Sequence, residues 1–141
     1  MILQTDERLN ESINKYGCYF MSILFLANKF KGVKLSTVSI LRYWRECIDK
    51  GYMLENDELH SFIVSAEKIF LHLGLKVKYT NKHEASDRNC SKQEIEILCL
   101  QNNRGLKHFV VGDGKGHIAY NPMGRDNPTY SVRSKRIFKL G

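Results

Sequence analysis

An apolar segment that begins at Cys18, directly after Gly17, constrains the fold more than any other feature of the sequence. From Cys18 to Ala27 it reads Cys-Tyr-Phe-Met-Ser-Ile-Leu-Phe-Leu-Ala, and a more polar end leads to Gly32. A helix that is apolar on nearly all sides is typical of the centre of a domain. The segment is also only about half the roughly 20 residues that a membrane-spanning helix needs. We therefore predict a buried central helix that Cys18 opens, with Gly17 as the break before it, and no membrane span.

The rest of the first half of the chain is predicted to be helical as well. Capping residues and glycines indicate where these helices begin and end, and apolar residues spaced by three and four indicate their buried faces. Three further helices are predicted: residues near 6–15, Ser36 to about Lys50, and Asn56 or Asp57 to Gly74.

The second half alternates apolar and polar residues between turn signals, which is typical of strands. The predicted strands are Leu75–Tyr79, Glu94–Leu100, Lys107–Val111, His117–Asn121, and one or two short segments within Thr129–Leu140. Helices followed by antiparallel strands indicate an α+β fold. With only two prolines and no Ser/Gly-rich linker, residues 1–141 are predicted to form a single domain.

The chain carries a formal net charge of +7, which raises the question of a nucleic-acid partner. Part of the charge is concentrated late in the chain, in Arg133, Lys135, Arg136 and Lys139. These residues alternate with apolar ones, so we interpret them as the solvated face of a strand. Base-stacking aromatics are not interleaved with the charges, and no RNA-recognition or helix-turn-helix signature is present. Nucleic acid is therefore not the expected main partner, and the oligomeric state is not predicted.

The cysteines and the remaining histidines suggest neither a disulfide framework nor a metal site. Cys47 and Cys99 fall on predicted core faces, and no C-x-x-C pair occurs. Cys90, in a polar loop, has only His83 as a conceivable second ligand, which is too few for zinc. The two histidines on the predicted third helix, His60 and His72, are interpreted as surface or rim residues. No metal or organic cofactor is expected.

The first residues, Met1 to Arg8, are polar, with no basic region ahead of an apolar run. They do not resemble a secretory signal peptide. We expect a cytoplasmic protein with free thiols, although release by another route remains compatible with the sequence.

Cys18 is the candidate nucleophile because of its place at the start of the central helix. The N–H groups and the dipole of a helix N-terminus favour a thiolate, so this position is expected to lower the thiol pKa. A neighbouring imidazole can take the proton from the thiol.

His108 is the candidate base, and its predicted partner is Asn121. If the hairpin after Lys107–Val111 turns at Gly114-Lys115, His108 lies directly opposite Asn121, within side-chain reach. If it turns at Asp113-Gly114 instead, His108 faces Ala119. The first register would place an orienting amide beside the imidazole, as a Cys-His-Asn site requires.

Three short motifs resemble the C39-like branch of the papain-like cysteine peptidases: Lys15-Tyr16-Gly17-Cys18, His108-Phe109-Val110-Val111 and Tyr120-Asn121-Pro122. The chain is also similar to uncharacterised bacterial and prophage proteins with the same Tyr-Gly-Cys and His-Phe pattern. The resemblance covers most of the chain and implies a papain-like fold, with the cysteine-bearing helix packed on a C-terminal antiparallel sheet.

The resemblance also implies roles for individual residues. Cys18 would be the nucleophile, His108 the general base and acid, and Asn121 the orienting residue. Gln4 would donate to the oxyanion together with the Cys18 backbone N–H, with Asn14 as a rival donor. His117 is a rival base, because Gly116 to Tyr120 is similar to the catalytic Gly-His-Val strand of CHAP-type cell-wall amidases.

The function expected from the resemblance is a cysteine peptidase or amidase acting on a peptide or a peptidoglycan peptide. The chain departs from the family in having Tyr19, rather than glycine, after the cysteine, and Asn121 in place of the usual Asp. A Tyr19 side chain that blocked the substrate-binding groove beside Cys18 would favour a catalytically inactive, papain-like binding module. A basic nucleic-acid-associated protein is the third hypothesis.

Overall fold

The computed structural model describes residues 1–56, 60–84, 88–125 and 129–141, and it confirms the α+β class. The helices are α1 (Glu11–Tyr16), α2 (Cys18–Lys31), α3 (Thr37–Asp49) and α4 (Ala66–His72). The strands are β1 (Met53–Asn56), β2 (His60–Ile63), β3 (Val77–Glu84), β4 (Glu94–Gln101), β5 (Lys107–Gly112), β6 (Ile118–Tyr120) and β7 (Ser131–Leu140). Along the chain, β1 and β2 lie between α3 and α4, and β3 to β7 follow α4.

Helix α2 is the buried central helix that the sequence predicts. It begins at Cys18 and ends at Lys31, where Gly32 closes it in the left-handed conformation with φ of 66°. Phe20, Ile23 and Leu24 have almost no exposed surface. The apolar run is therefore explained by burial in the main hydrophobic core, between the other helices and the sheet.

Gly17 joins α1 to α2 at a point where the two backbones nearly touch. Its N–H donates to the carbonyl of Ile13 at 2.9 Å. A Cβ at position 17 would lie 2.7 Å from that carbonyl oxygen and 2.9 Å from the Ile13 Cα. Because Ile13 is fully buried, it cannot easily move away. Glycine is thus required for the approach that fixes where α2, and with it Cys18, begins.

Helix α3 matches the prediction made from its capping residues. Ser36 accepts a hydrogen bond from the Ser39 N–H at 3.1 Å, as an N-cap does. The helix ends at Asp49, and Gly51 follows with a positive φ of 75°.

The predicted third helix is wrong in its first half. The segment from Met53 to Ile63 contributes the antiparallel strands β1 and β2, with Met53 paired to Ile63. The helix begins only at Ala66, because Ser65 is its N-cap and accepts from the Lys68 N–H at 3.3 Å. The part of the prediction that covers residues 57–59 lies outside the described residues.

Five of the strands form an antiparallel sheet in the order β3-β7-β4-β5-β6. The last segment of the chain is thus one ten-residue strand with a neighbour on each side, not one or two short ones. The predicted solvated basic face is wrong at Lys135, which is only 3% exposed. Its Nζ donates to the Arg88 carbonyl at 2.8 Å and lies 3.9 Å from the buried carboxylate of Glu96. Strand β7 lies between β3 and β4 in the sheet, a position that the charge pattern does not reveal.

We predict that Gly17→Ala destabilises the protein by about 1–3 kcal/mol, because the added methyl overpacks against the Ile13 backbone. The free energy of unfolding from urea titration measures this cost. Gly141→Ala is the matched control, since the nearest atom to its Cβ is 3.9 Å away. Equal stability of the two variants would show that α1 and α2 are not held at this distance.

Candidate active site

Cys18 lies at the junction of helix α2 and strand β5. The N–H of Phe109 in β5 donates to the Cys18 sulfur at 3.4 Å. One helical turn later, Ser22 donates to the Cys18 carbonyl at 2.8 Å, and its hydroxyl also lies 3.5 Å from the Phe109 carbonyl. The thiol therefore has a fixed position on the sheet.

The pKa of the Cys18 thiol is raised, whereas the sequence predicts a lowered value. Burial is the largest cause, because it removes the water that would solvate a thiolate. The N–H groups of Phe109, Tyr19 and Cys18 itself act in the opposite direction. The helix N-terminus thus has the expected effect, but desolvation outweighs it.

His108 and Asn121 are hydrogen-bonded to each other, with 2.8 Å between His108 Nε2 and Asn121 Oδ1. His108 is the second residue of β5, and Asn121 follows the last residue of β6. Burial lowers the pKa of His108, and its hydrogen bond to Asn121 partly opposes this. The imidazole is therefore neutral near pH 7.

The contact between His108 and Asn121 arises from a different register than either predicted one. Val111 pairs with Tyr120, and after an irregularity Gly112 pairs with Ile118. Neither two-residue turn is present: the Asp113 N–H donates to the His117 carbonyl at 2.8 Å, which leaves three residues, 114–116, in the loop. Asn121 then reaches His108 from beyond the end of β6, through its side chain and not as a cross-strand neighbour.

The other hydrogen bonds of Asn121 determine the tautomer of His108. The Met123 N–H donates to Asn121 Oδ1 at 3.0 Å, and Asn121 Nδ2 donates to the Arg125 carbonyl at 2.7 Å. Since Oδ1 only accepts hydrogen bonds, the His108 Nε2 must carry the proton that it shares with Asn121. In the neutral ring, Nδ1 then holds the unprotonated lone pair, which is the atom that can act as a base.

Gln4 is buried at this site with 2% of its surface exposed. Its backbone N–H donates to the Pro122 carbonyl at 3.0 Å, which brings the N-terminal loop beside Asn121. Its side-chain Nε2 donates to the Asn14 carbonyl at 3.2 Å and has a second N–H, while its Oε1 has no hydrogen-bond partner among the described residues. Asn14, the rival donor, uses its own amide on the Gln4 and Asp6 carbonyls, at 2.7 and 3.0 Å. Asn14 thus supports the loop that carries Gln4.

Two cavities meet at Cys18. The smaller one, about 290 Å³, is bordered by Cys18, His108, Asn121 and Gln4, and we call it the polar cavity. The larger one, about 790 Å³, is bordered mainly by apolar side chains, and we call it the apolar cavity. Its apolar lining includes Tyr19, Phe20, Trp44, Met53, Ile63 and Phe109.

The structure thus brings Cys18, His108, Asn121 and Gln4 to one cavity, although the thiol and the imidazole are not bonded to each other. Among the described residues, the Cys18 sulfur has hydrogen bonds to backbone N–H groups and none to His108. Hydrogen bonds of this kind are often long in ligand-free sites and shorten when a substrate binds.

The rival base His117 lies elsewhere. Its side chain is 80% exposed on the hairpin loop, 3.4 Å from the Asp113 carboxylate, and it borders neither of these cavities. Tyr19 packs against Phe109 with 4.5 Å between the ring centroids and borders the apolar cavity, not the polar one. It therefore does not close the polar cavity between Cys18 and His108.

Cys47, Cys90, Cys99 and His72 border neither cavity. Cys47 and Cys99 are buried, as predicted. Burial and nearby carboxylates raise the pKa of Cys90 to about 12, and its sulfur lies 3.7 Å from Glu96. His72 contacts Glu46 at 3.0 Å. The side chains of His60 and His83 lie outside the described part of the structure.

Sequence reasoning missed Glu96, which holds the hairpin loop in place. This buried carboxylate accepts from the N–H groups of Gly114 and Gly116, at 3.0 and 2.9 Å. A Cβ at Gly112 would lie 2.3 Å from the same carboxylate. The sequence does contain a signal for this contact, because Glu96 stands in an apolar strand and a Gly-rich loop follows the next strand. The contact itself depends on the sheet register, which the sequence does not give.

The chain belongs to the family described as "Protein of unknown function, DUF261", whose family model matches residues 1–140. A search of curated proteins found no match, and a search of solved structures found none either. No helix in the described ranges is long and apolar enough to span a membrane. Within those ranges, no three His, Cys, Asp or Glu side chains are grouped as a metal site would require.

We predict that lowering the pH destabilises the wild type more than His108→Gln. Because folding lowers the pKa of His108 from its ordinary 6.5, the unfolded chain binds a proton below that pH that the folded chain does not. The stability contributed by the neutral ring is complete above pH 6.5 and is lost as the pH falls towards the folded-state pKa. Urea unfolding between pH 7.5 and pH 5 measures the difference. His117→Gln, which retains His108, should follow the wild type, and equal pH dependence of wild type and His108→Gln would contradict the burial of this imidazole.

Proposed function

We propose that the protein is a cysteine hydrolase, a peptidase or amidase, with Cys18 as nucleophile, His108 as base and Asn121 as the residue that orients the base. The observation that carries the proposal is the 2.8 Å bond between His108 and Asn121 in a cavity that Cys18 borders. A cysteine that opens a buried helix, packed on an antiparallel sheet that carries the histidine, also supports a papain-like arrangement.

The reaction begins with attack of the Cys18 sulfur on the carbonyl carbon of the substrate. The thiol proton passes to Nδ1 of His108, while the proton on Nε2 stays hydrogen-bonded to Asn121 Oδ1. Since burial raises the pKa of the thiol and lowers that of the imidazole, the resting pair is neutral, and proton transfer accompanies the attack. This differs from a site that holds a preformed thiolate.

The oxyanion of the tetrahedral intermediate is held by N–H groups near the start of α2. The Cys18 backbone N–H is one donor, and the second N–H of Gln4 Nε2 is the other. The carbon–nitrogen bond then breaks, and His108 Nδ1 returns its proton to the leaving amine. A water molecule, deprotonated by the same nitrogen, cleaves the Cys18 thioester and regenerates the thiol.

We expect Cys18→Ala to abolish peptide cleavage and His108→Gln to reduce it by roughly 10²–10⁴-fold, the usual contribution of a general base. The probe is a library of acetylated peptides, with new termini identified by mass spectrometry. Cys90→Ala is the matched control, because that thiol borders neither cavity. Cleavage that persists in Cys18→Ala would refute the proposal.

The pH dependence of kcat/KM tests the role of Asn121. Cleavage requires neutral His108, so the acidic limb of the profile should lie below pH 6.5. Asn121→Asp should move this limb to higher pH, since a carboxylate favours the imidazolium. Asn121→Ala should move it to lower pH and slow turnover by roughly 2–12-fold, the usual effect of losing one hydrogen bond. If the limb does not move in either variant, His108 is not the base that Asn121 orients.

A catalytically inactive binding module is the second candidate. The raised pKa of Cys18 and the lack of a hydrogen bond between its sulfur and His108 favour it. The two candidates differ in one observable: a peptidyl acyloxymethyl ketone, which alkylates active-site thiols, should label Cys18 of a hydrolase and should label it much more slowly in His108→Gln. Equal labelling of both proteins would favour the binding module.

A further inference from the structure

The two cavities that meet at Cys18 share two cations, Lys15 and Lys107, and differ in their other charged residues. The apolar cavity is also bordered by Arg136 and Glu67, whereas the polar cavity is also bordered by Arg125. The polar cavity is bordered by three cations, Lys15, Lys107 and Arg125, and by no carboxylate among its described residues. Glu11 pairs with Lys15 at 2.6 Å and offsets one of these charges on the solvent side. Lys107 and Arg125 make the entrance of the cavity electropositive, which favours an anion inside it.

The position of His108 indicates which part of a substrate occupies the polar cavity. The proton on Nδ1 must reach the nitrogen of the leaving amine, so the amine has to lie on the side of Cys18 where His108 is. His108 borders the polar cavity and does not border the apolar one. The leaving amine therefore binds among the cations, and the acyl group extends the other way.

Gln4 adds an observation that is independent of the charges. Gln4 borders the polar cavity, and its buried Oε1 has no hydrogen-bond partner among the described residues. A buried acceptor without a donor is costly, by about 1–3 kcal/mol. An N–H group of the leaving amine would satisfy it.

The apolar cavity fits a large apolar acyl group. Its volume of about 790 Å³ is in the range of ligand pockets, and aromatic side chains such as Tyr19, Trp44 and Phe109 border it. The polar cavity, at about 290 Å³, has room only for a small group.

We propose that the substrate joins a large apolar acyl group to a small amine that carries a carboxylate. This inference rests on the proposed hydrolase function. The carboxylate is either the free α-carboxylate of a C-terminal residue or the side chain of an acidic residue directly after the cleaved bond.

Matched peptides test the proposal and separate the two sources of the carboxylate. Acetyl-Phe-Gly as free acid is compared with its amide, and acetyl-Phe-Glu amide with acetyl-Phe-Gln amide. We expect kcat/KM to favour the anionic member of at least one pair by about 3–10-fold, the effect of one or two exposed ion pairs. The peptide pair in which the anionic member is preferred identifies the source of the carboxylate. Replacing Phe by Ala should lower kcat/KM by at least about 10-fold.

Lys107→Gln and Arg125→Gln should each reduce the preference for the anionic peptide. Lys115→Gln is the matched control, since Lys115 is exposed on the hairpin loop and borders neither cavity. Retention of the full preference in both cavity variants, or its loss in the Lys115 control, would overturn the assignment to these residues.

Alkylation of Cys18 tests the electropositive cavity without turnover. The ratio of the iodoacetate rate to the iodoacetamide rate at Cys18 should exceed that of a free thiol, fall with added salt and decrease in Lys107→Gln. If this ratio behaves as expected but no peptide is cleaved, the hydrolase function fails and the anion site stands. If peptides are cleaved without a charge preference and the ratio equals that of a free thiol, the anion site fails and the hydrolase function stands.

Discussion

The packing of helix α2 on strand β5 depends on an interruption of the sheet. Strand β6 ends at Tyr120, and its pairing with β5 covers only Val111 and Gly112. The outward N–H of Phe109 therefore has no β6 partner and donates to the Cys18 sulfur instead. After β6 the chain turns at Asn121. The Asn121 side chain is hydrogen-bonded to His108 in the part of β5 that β6 does not pair with. Because β6 ends early, the Phe109 N–H is available to the Cys18 thiol, and Asn121 lies beside the His108 imidazole.

Desolvation is the dominant electrostatic effect at this site. It raises the pKa of Cys18 and lowers that of His108, so both groups are neutral in the resting protein. A dry site also strengthens any charge interaction that a substrate creates when it binds. The cations around the polar cavity are exposed, whereas the Cys18 thiol between the two cavities is only partly exposed.

The sequence predicted those features that depend on local residues. Gly17, Ser36 and Gly32 are boundary signals whose effect is confined to one turn, and α2 and α3 are where they were expected. Helix α1 is shorter than predicted, because it begins at Glu11 after the N-cap Asn10 and not near residue 6. Strand β2, His60–Ile63, was misassigned to a helix because its apolar spacing also fits the start of the helix that follows. The burial of Lys135 was missed because it depends on the position of β7 between two other strands.

The candidate site was predictable in its residues but not in its geometry. His108 and Asn121 do meet, yet the register proposed for them was wrong, because the hairpin loop is set by Asp113 and by the distant Glu96. Likewise, the pKa of Cys18 follows from burial by the assembled sheet, which no local pattern reveals. The two cavities are formed by side chains from both ends of the chain, which no local pattern brings together.

The central claim is that Cys18 and His108 act as a pair through Nδ1 of the imidazole, and ¹⁵N NMR of the histidine ring tests it most directly. The account predicts that at neutral pH Nε2 carries the proton and Nδ1 does not, and that blocking Cys18 with a methylthio group changes the His108 titration. A ring protonated on Nδ1, or a titration unaffected by blocking Cys18, would contradict it.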